Sequence, residues 1–274
     1  RVISRVWDFD FAQLNAASGP VAIIGAGLTM VDIVIALRDA GYQGAITALS
    51  RNGWLPHTHD MRDAQLVTTA GTLAQAPQRL RTLFRTLRHE IRAASTQNVS
   101  WQTAMDHWRP HLPTLWSQMT ADDRRHFLAK YFTLWGIHRH RMAPAIGARI
   151  AAERTGNTLE IRSGGARITA ADDNGVDIGT TQGTAHFQWV FDCRGPGYNL
   201  MTSDNVLLKQ MAHDGLLAAD ATGWGVAVED DLKVAGQRGL YAIGPLAIGA
   251  RLETTAVPEL RGQAKAIAHT LVAA

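Results

Sequence analysis

The sequence has little cysteine, no long apolar run and no dominant sign of charge, and each shortage removes a class of protein. Cys193 is the single cysteine among 274 residues, so no intrachain disulfide can staple the fold and no multi-cysteine metal site can form. That usage fits a reducing, cytoplasmic setting. No run of about 18 apolar residues occurs, so no helical membrane span is expected, and no secretory leader pattern is visible. Basic and acidic residues number 27 and 24, for a formal charge of +3 and a pI near 9.3. Arginine far outnumbers lysine. Such a weak positive field suits an anionic ligand such as a phosphate and gives no argument for nucleic acid or membrane. What is present is ordinary: 46% hydrophobic and 19% charged residues, a composition that excludes a disordered or fibrous chain. The length allows one large or two modest domains.

Val21 to Ile24 is a short apolar run after Pro20 and reads as a buried strand. Gly25-Ala26-Gly27 follows, then a helix that places Leu28, Val31, Val34 and Ile35 on one face and ends at Gly41. Ala45 to Leu49 is a second strand, which completes a βαβ unit. The middle of the chain, about 73–152, reads as helical. Leu80, Leu83, Phe84, Leu87 and Ile91 recur at helical spacing, with Arg79, Arg81, Arg85, Arg88 and Arg92 on the other faces, as in a packed stripe under a solvated arginine face. Ser100 and Thr120 are candidate caps and Pro144 a helix start. Phe127, Leu128, Tyr131, Leu134 and Trp135 continue the Thr120 helix inward. From Thr158 the pattern turns to strands, with a hairpin at Asp173-Asn174-Gly175. Leu240 to Ile243 reads as a further buried strand, and a last helix from about Pro258 buries Leu260, Ala264, Ile267 and Leu271.

The chemistry concentrates at the first glycine turn. Gly25-x-Gly27-x-x-Met30 is a dinucleotide-type turn with its third glycine replaced. Gly25 permits the tight turn, and Gly27 lacks the Cβ that would keep a pyrophosphate off the backbone. The helix that opens here aims the N–H groups of Leu28, Thr29 and Met30, and its positive dipole end, at the phosphates. Met30 replaces the glycine that normally brings helix and strand close, which implies looser packing or a different angle. A bare glycine pattern is weak; the strand before it and the helix after it give it meaning. The second strand ends in Ser50-Arg51 with no acidic residue, so NADP is expected over NAD. A hydroxyl and a guanidinium suit a ribose 2′-phosphate, whereas NAD calls for a carboxylate there.

Other clusters are weighed against plainer readings. His57-Thr58-His59-Asp60 and His138-x-His140 have a spacing found in metal sites, but no metal is expected. His138 and Arg139 either line a pocket for an anionic substrate or the nicotinamide ribose, or are cations at a helix end stabilising exposed carbonyls; both readings stay open. Trp101, Trp108, Trp116 and Trp135 read as core, and Cys193 as a buried small hydrophobe.

Ile24-Gly25-Ala26-Gly27-Leu28-Thr29-Met30-Val31-Asp32, Ser50-Arg51 and Leu55-Pro56-His57-x-His59 together resemble a bacterial family of FAD/NAD(P)-binding proteins. These are relatives of flavin-dependent urate hydroxylases and aspartate N-monooxygenases. His138 to Met142, Cys193-Arg194-Gly195-Pro196, Leu240 to Pro245 and Glu253 to Glu259 extend the likeness over nearly the whole chain. The resemblance implies an α/β fold: the Rossmann-like NAD(P)-binding domain of a two-dinucleotide flavoprotein, with a helical insertion and a β-meander. It assigns the Gly25 turn to NADPH, and adds Gly195 and Pro196 to the cofactor-binding residues. Gly244, Pro245, Thr254, Thr255 and Ala256 become residues facing FAD, with Glu253 a possible proton donor. Residues 1–195 are then the NADPH-binding domain, with the insertion at about 73–152, and 196–274 the flavin-facing segment. The implied activity is hydride transfer from NADPH to FAD by an oxidoreductase, in all expectation a monooxygenase of a small molecule; no catalytic residue is assigned. No flavin-type glycine turn precedes Gly25, and the chain begins at Arg1 rather than Met. A missing FAD-binding domain or partner chain is therefore expected. The alternative is a non-catalytic nucleotide-binding module that docks on a flavin-carrying partner.

Overall fold

The computed structural model describes residues 1–15, 18–62, 66–195 and 197–273. The chain forms two compact units: Arg1–Met61 with Thr133–Pro196, and Arg62–Phe132 with Gly197–Ala274.

The first unit is built on strands β1 (Val2–Ile3), β2 (Val21–Ile24), β3 (Ile46–Leu49), β4 (Leu159–Arg162) and β8 (Trp189–Asp192). They form one parallel sheet in the order β1-β8-β2-β3-β4. Every residue of β2 and β3 is buried, as a strand covered on both faces requires. Side chains alternate across the sheet. Val21 and Ile23 join a core with helix α1 (Leu28–Asp39) and with Ile150 of a later helix, Pro144–Thr155, while Ala22 and Ile24 face Val176, Ile178 and Phe187. Those three belong to an antiparallel meander: β5 (Arg167–Asp172), β6 (Gly175–Thr180) and β7 (Gly183–Phe187). Helices, parallel sheet and meander thus make three layers, and the expected meander is present. Its first turn falls where the hairpin signal is: Asp172 Oδ1 accepts from the Asn174 and Gly175 N–H groups.

Helix α1 stops as the sequence indicates. Gly41 is left-handed at φ +92, its N–H donates to the Arg38 carbonyl, and Tyr42 N–H donates to that of Leu37. This 6→1 and 5→2 pair is a Schellman ending.

The second unit contains most of the expected helical insertion. Helices α2 (Ala70–Leu73), α3 (Leu80–Thr96), α4 (Trp101–Trp108), α5 (Leu112–Gln118) and α6 (Ala121–Lys130) follow in turn. Leu80, Leu83 and Leu87 are buried along α3, and its arginines are exposed. Glu90 is buried on the same helix, where its carboxylate accepts from Thr69 N–H, Thr69 Oγ1 and Trp108 Nε1 at 2.7, 2.7 and 2.6 Å. Ser100 and Thr120 cap α4 and α6 by accepting from Gln102 and Asp123 N–H. The Thr120 helix does not continue to Trp135, however. It breaks at Tyr131, and helix α7 (Phe132–Arg139) starts afresh, followed by α8 (Pro144–Thr155). Helix α9 (Val206–His213) carries an Asn205 cap.

Two expectations fail in the C-terminal segment. Leu240 to Ile243 is not a strand; Tyr241 forms an isolated bridge with Lys233, and this stretch runs into a short 3₁₀ turn at Gly244–Ala247. Helix α10 (Val257–Ala273) does not bury its apolar stripe. Leu260 and Ile267 are half-buried, Ala264 is exposed and Leu271 is 56% exposed. Apolar spacing marks a helical face, but burial also needs a partner element, and α10 has too little of one among the described residues.

Candidate dinucleotide site

In an open parallel sheet, ligands bind beyond the carboxyl ends of the strands, where the strand order reverses. Here that point lies between β2 and β8. Strand β2 passes through α1 to β3 on one side, and β8 pairs it on the other. The Gly25 turn sits at this point. Gly25 N–H donates to Leu49 O at 2.8 Å, and Cys193 N–H donates to Ile24 O at 2.8 Å. Gly25 is left-handed at φ +113, and a Cβ there would lie 2.5 Å from the Cys193 carbonyl oxygen. Only glycine satisfies both constraints.

Gly27 behaves differently. It is the N-cap of α1 with an extended backbone, no side chain caps the helix, and a Cβ built on it would meet nothing within 4 Å. No side-chain cap occupies the first turn, and Leu28 and Thr29 are half-buried there. Backbone donors at an uncapped helix N-terminus are the general arrangement by which proteins bind anions. Met30 is fully buried in the core of this unit, so the side chain at the third glycine position fills the space between helix and sheet.

Ser50 and Arg51 follow β3 at the same edge. Ser50 Oγ accepts from Gly53 N–H at 3.0 Å and closes a short turn. Gly53 is left-handed at φ +66 and packs on Ser163 after β4. Arg51 is exposed, with a guanidinium nitrogen 3.4 Å from Thr133 Oγ1 at the start of α7. Gly195, left-handed at φ +80 and exposed, ends the stretch after β8; Pro196 lies outside the described residues. Before it, the Arg194 guanidinium holds the Asp192 carboxyl below the usual carboxylate range, through a 2.8 Å bond from Nε and a 2.5 Å bond from a terminal nitrogen. Sequence reasoning quoted Arg194 without pairing it with Asp192, although the i, i+2 spacing at a strand end was the available signal.

An isolated parallel bridge between Thr58 and Met142 brings together two histidine motifs that lie far apart in sequence. His57 N–H donates to Ile137 O, Met142 N–H donates to His57 O, and His59 N–H donates to Met142 O. The His57 and His138 rings lie 4.7 Å apart. Partial burial, then the charges of His138 and Arg141, lower the His57 pKa. His138 Nδ1 lies 2.8 Å from the Leu134 carbonyl, and Arg139 is buried. Among the described residues no group of three or more metal-ligating side chains forms. Cys193 is buried, and burial above all pushes its thiol up to about 12, so at neutral pH it is an inert small hydrophobe.

The remaining sequence-selected residues lie in the second unit. Gly244 is left-handed at φ +67 and buried, and donates its N–H to Gln263 Oε1 at 2.9 Å. Pro245 is exposed beside it. Thr254 is fully buried, and its Oγ1 has no hydrogen-bond partner among the described residues. Thr255 is exposed, Ala256 and Glu253 are half-buried, and α10 begins directly after them. Glu259 in its first turn pairs with Arg109.

Comparison with solved structures defines the class. The chain is similar to the reduced form of ornithine hydroxylase from Pseudomonas aeruginosa, with 14% identity and a TM-score of 0.53 over 93% of this chain and 53% of that one. It is similar in the same way to L-lysine 6-monooxygenase from Pseudomonas syringae, with 12% identity and a TM-score of 0.51 over 93% and 52%. The fold is that of two-dinucleotide flavoproteins, and the chain spans about half the length of these structures. No family model and no curated protein matches the sequence. No described helix is long and apolar enough to cross a membrane.

Proposed function

We propose that this chain is the NADPH-binding portion of a flavin-dependent oxidoreductase of the monooxygenase type, acting on a small molecule. The observation that carries the reading is the open, uncapped N-terminus of α1 at the strand-order reversal. The backbone of Leu28 to Met30 binds the pyrophosphate, and Gly27 lets it approach. Arg51 and Ser50 take the 2′-phosphate, the guanidinium by charge-assisted hydrogen bonds. His138 and Arg139 are the candidates for the nicotinamide ribose or an anionic substrate.

Bound here, a nicotinamide cofactor would supply the hydride for reduction of a flavin. The residues of this chain bind and orient. On the flavin side, Gly244, Pro245, Thr254, Thr255 and Ala256 are the candidate contacts. The buried Thr254 hydroxyl, which has no partner among the described residues, supports an acceptor there, because leaving such a group unsatisfied costs about 1–3 kcal/mol. A separate FAD-binding domain or partner chain is proposed to hold the flavin pyrophosphate, in keeping with a chain that spans about half the length of the structures it matches. The same observation favours the second reading, a non-catalytic module that docks on a flavin carrier.

Calorimetric titration of the purified chain tests the nucleotide assignment. NADPH is expected to bind at least about tenfold tighter than NADH, a charge-assisted pair being worth about 1.5–3 kcal/mol, and Arg51→Ala should remove the difference. Equal affinities in the unaltered chain would discard the 2′-phosphate role. NADPH oxidation that appears once a flavin-loaded domain is supplied would favour the enzyme; binding with no oxidation would favour the module.

A further inference from the structure

An indole stands exposed where the adenine of this dinucleotide would fall. The segment after β3 is fixed at both ends. At its start the Ser50 to Gly53 turn is closed by the bond to Ser50 Oγ. At its end His57 and His59 are tied through backbone hydrogen bonds to Ile137 and Met142. Between these anchors Pro56 is buried and Leu55 packs against the core of the unit. Trp54 is left 40% exposed. Among the described residues its ring makes no aromatic or cation–π contact and its Nε1 no hydrogen bond. Trp7, at 66%, is the other exposed tryptophan among the described residues, so exposure alone does not select Trp54; its place just after β3 does.

The geometry of the βαβ unit says what lies there. Pyrophosphate at the helix N-terminus and ribose at the end of the second strand leave the base just beyond that strand, which is the position of residues 52–55. Resting on the dinucleotide reading above, we infer that Trp54 is the stacking platform for the adenine. Arg51 then reads the 2′-phosphate while Trp54 holds the part that NADPH and NADH share. Stacking needs only a flat π-face on a rigid support, and the doubly anchored segment supplies the support.

The two residues therefore fail in different ways. In calorimetry on the full chain with NADPH and NADH, Trp54→Ala should weaken both by about tenfold or more, as base–aromatic stacking generally does on truncation. Their ratio should be kept, and Trp54→Phe should restore most of the affinity. Arg51→Ala should weaken NADPH alone. Unchanged affinity for both nucleotides in a folded Trp54→Ala would overturn the inference while leaving the dinucleotide reading intact. Loss in Trp54→Ala with no recovery in Trp54→Phe would overturn it as well, since a structural indole behaves that way. A wild-type chain that binds neither nucleotide would remove the underlying reading and this inference with it.

Discussion

Helices α1 and α10 each follow a turn proposed to meet a cofactor, and each carries an apolar stripe at helical spacing, yet they are packed differently. Met30, Val31, Ile33, Val34 and Leu37 of α1 are all buried, packed with Val21 and Ile23 of the sheet and with Ile150 of α8. None of the described side chains of α10 is buried. Within its own unit Leu260 and Ile267 are only half-buried, and Glu259 pairs with Arg109 and Gln263 with the Gly244 N–H. A phosphate cradle works through preorganisation, with donors aimed before the ligand arrives. The N-terminus of α1, proposed as such a cradle, has the rigid support this requires, whereas α10 is held by a half-buried face and a few polar contacts.

Substitutions can break or sharpen that contrast. The largest effect is expected from Ile33→Ala, which empties a fully buried site; a loss of about 2–5 kcal/mol is typical of such cavities and is read from denaturant unfolding. Gly25→Ala comes next. Its Cβ would press on the Cys193 carbonyl from a left-handed backbone, for a cost of about 1–3 kcal/mol in strain, with nucleotide binding lost as the turn opens. Cys193 gives a smaller, pH-dependent effect. Burial raises its folded-state value from 9.0 to about 12, so above about pH 9 the unfolded chain sheds a proton that the folded chain keeps. Stability should be whole below pH 9 and fall through the interval up to about 12, a dependence that Cys193→Ala should flatten. Native Cys193 should also resist alkylation at pH 8. Leu271→Ala on α10 should change stability by no more than about 0.5 kcal/mol; a loss of 2 kcal/mol would place a buried face on that helix after all.

The βαβ unit was legible because each of its signals is local: an apolar run, two glycines with different duties, and a helix end at Gly41. The hairpin at Asp172 to Gly175 was legible for the same reason. What the sequence hid is long-range. Nothing near His57 announces that its backbone pairs with Ile137 and Met142, or that its ring lies against His138. The pairing of β8 with both β1 and β2, which creates the site's second wall, is likewise invisible in a short run such as Trp189 to Asp192. Leu240 to Ile243 misled because four apolar residues suit a strand and a packed loop equally well. Leu260 to Leu271 misled because periodicity describes one element and burial requires two.

The account stands on the cradle at α1, and backbone amide shifts report on it directly. In a deuterated, nitrogen-labelled chain titrated with NADPH, the amides of Leu28, Thr29 and Met30 should show the largest changes, together with those of Ser50 and Arg51. NADH should reproduce the first group with weaker effects at the second. Saturable binding with Gly25 to Met30 unmoved would contradict the account and put the nucleotide somewhere else on the molecule.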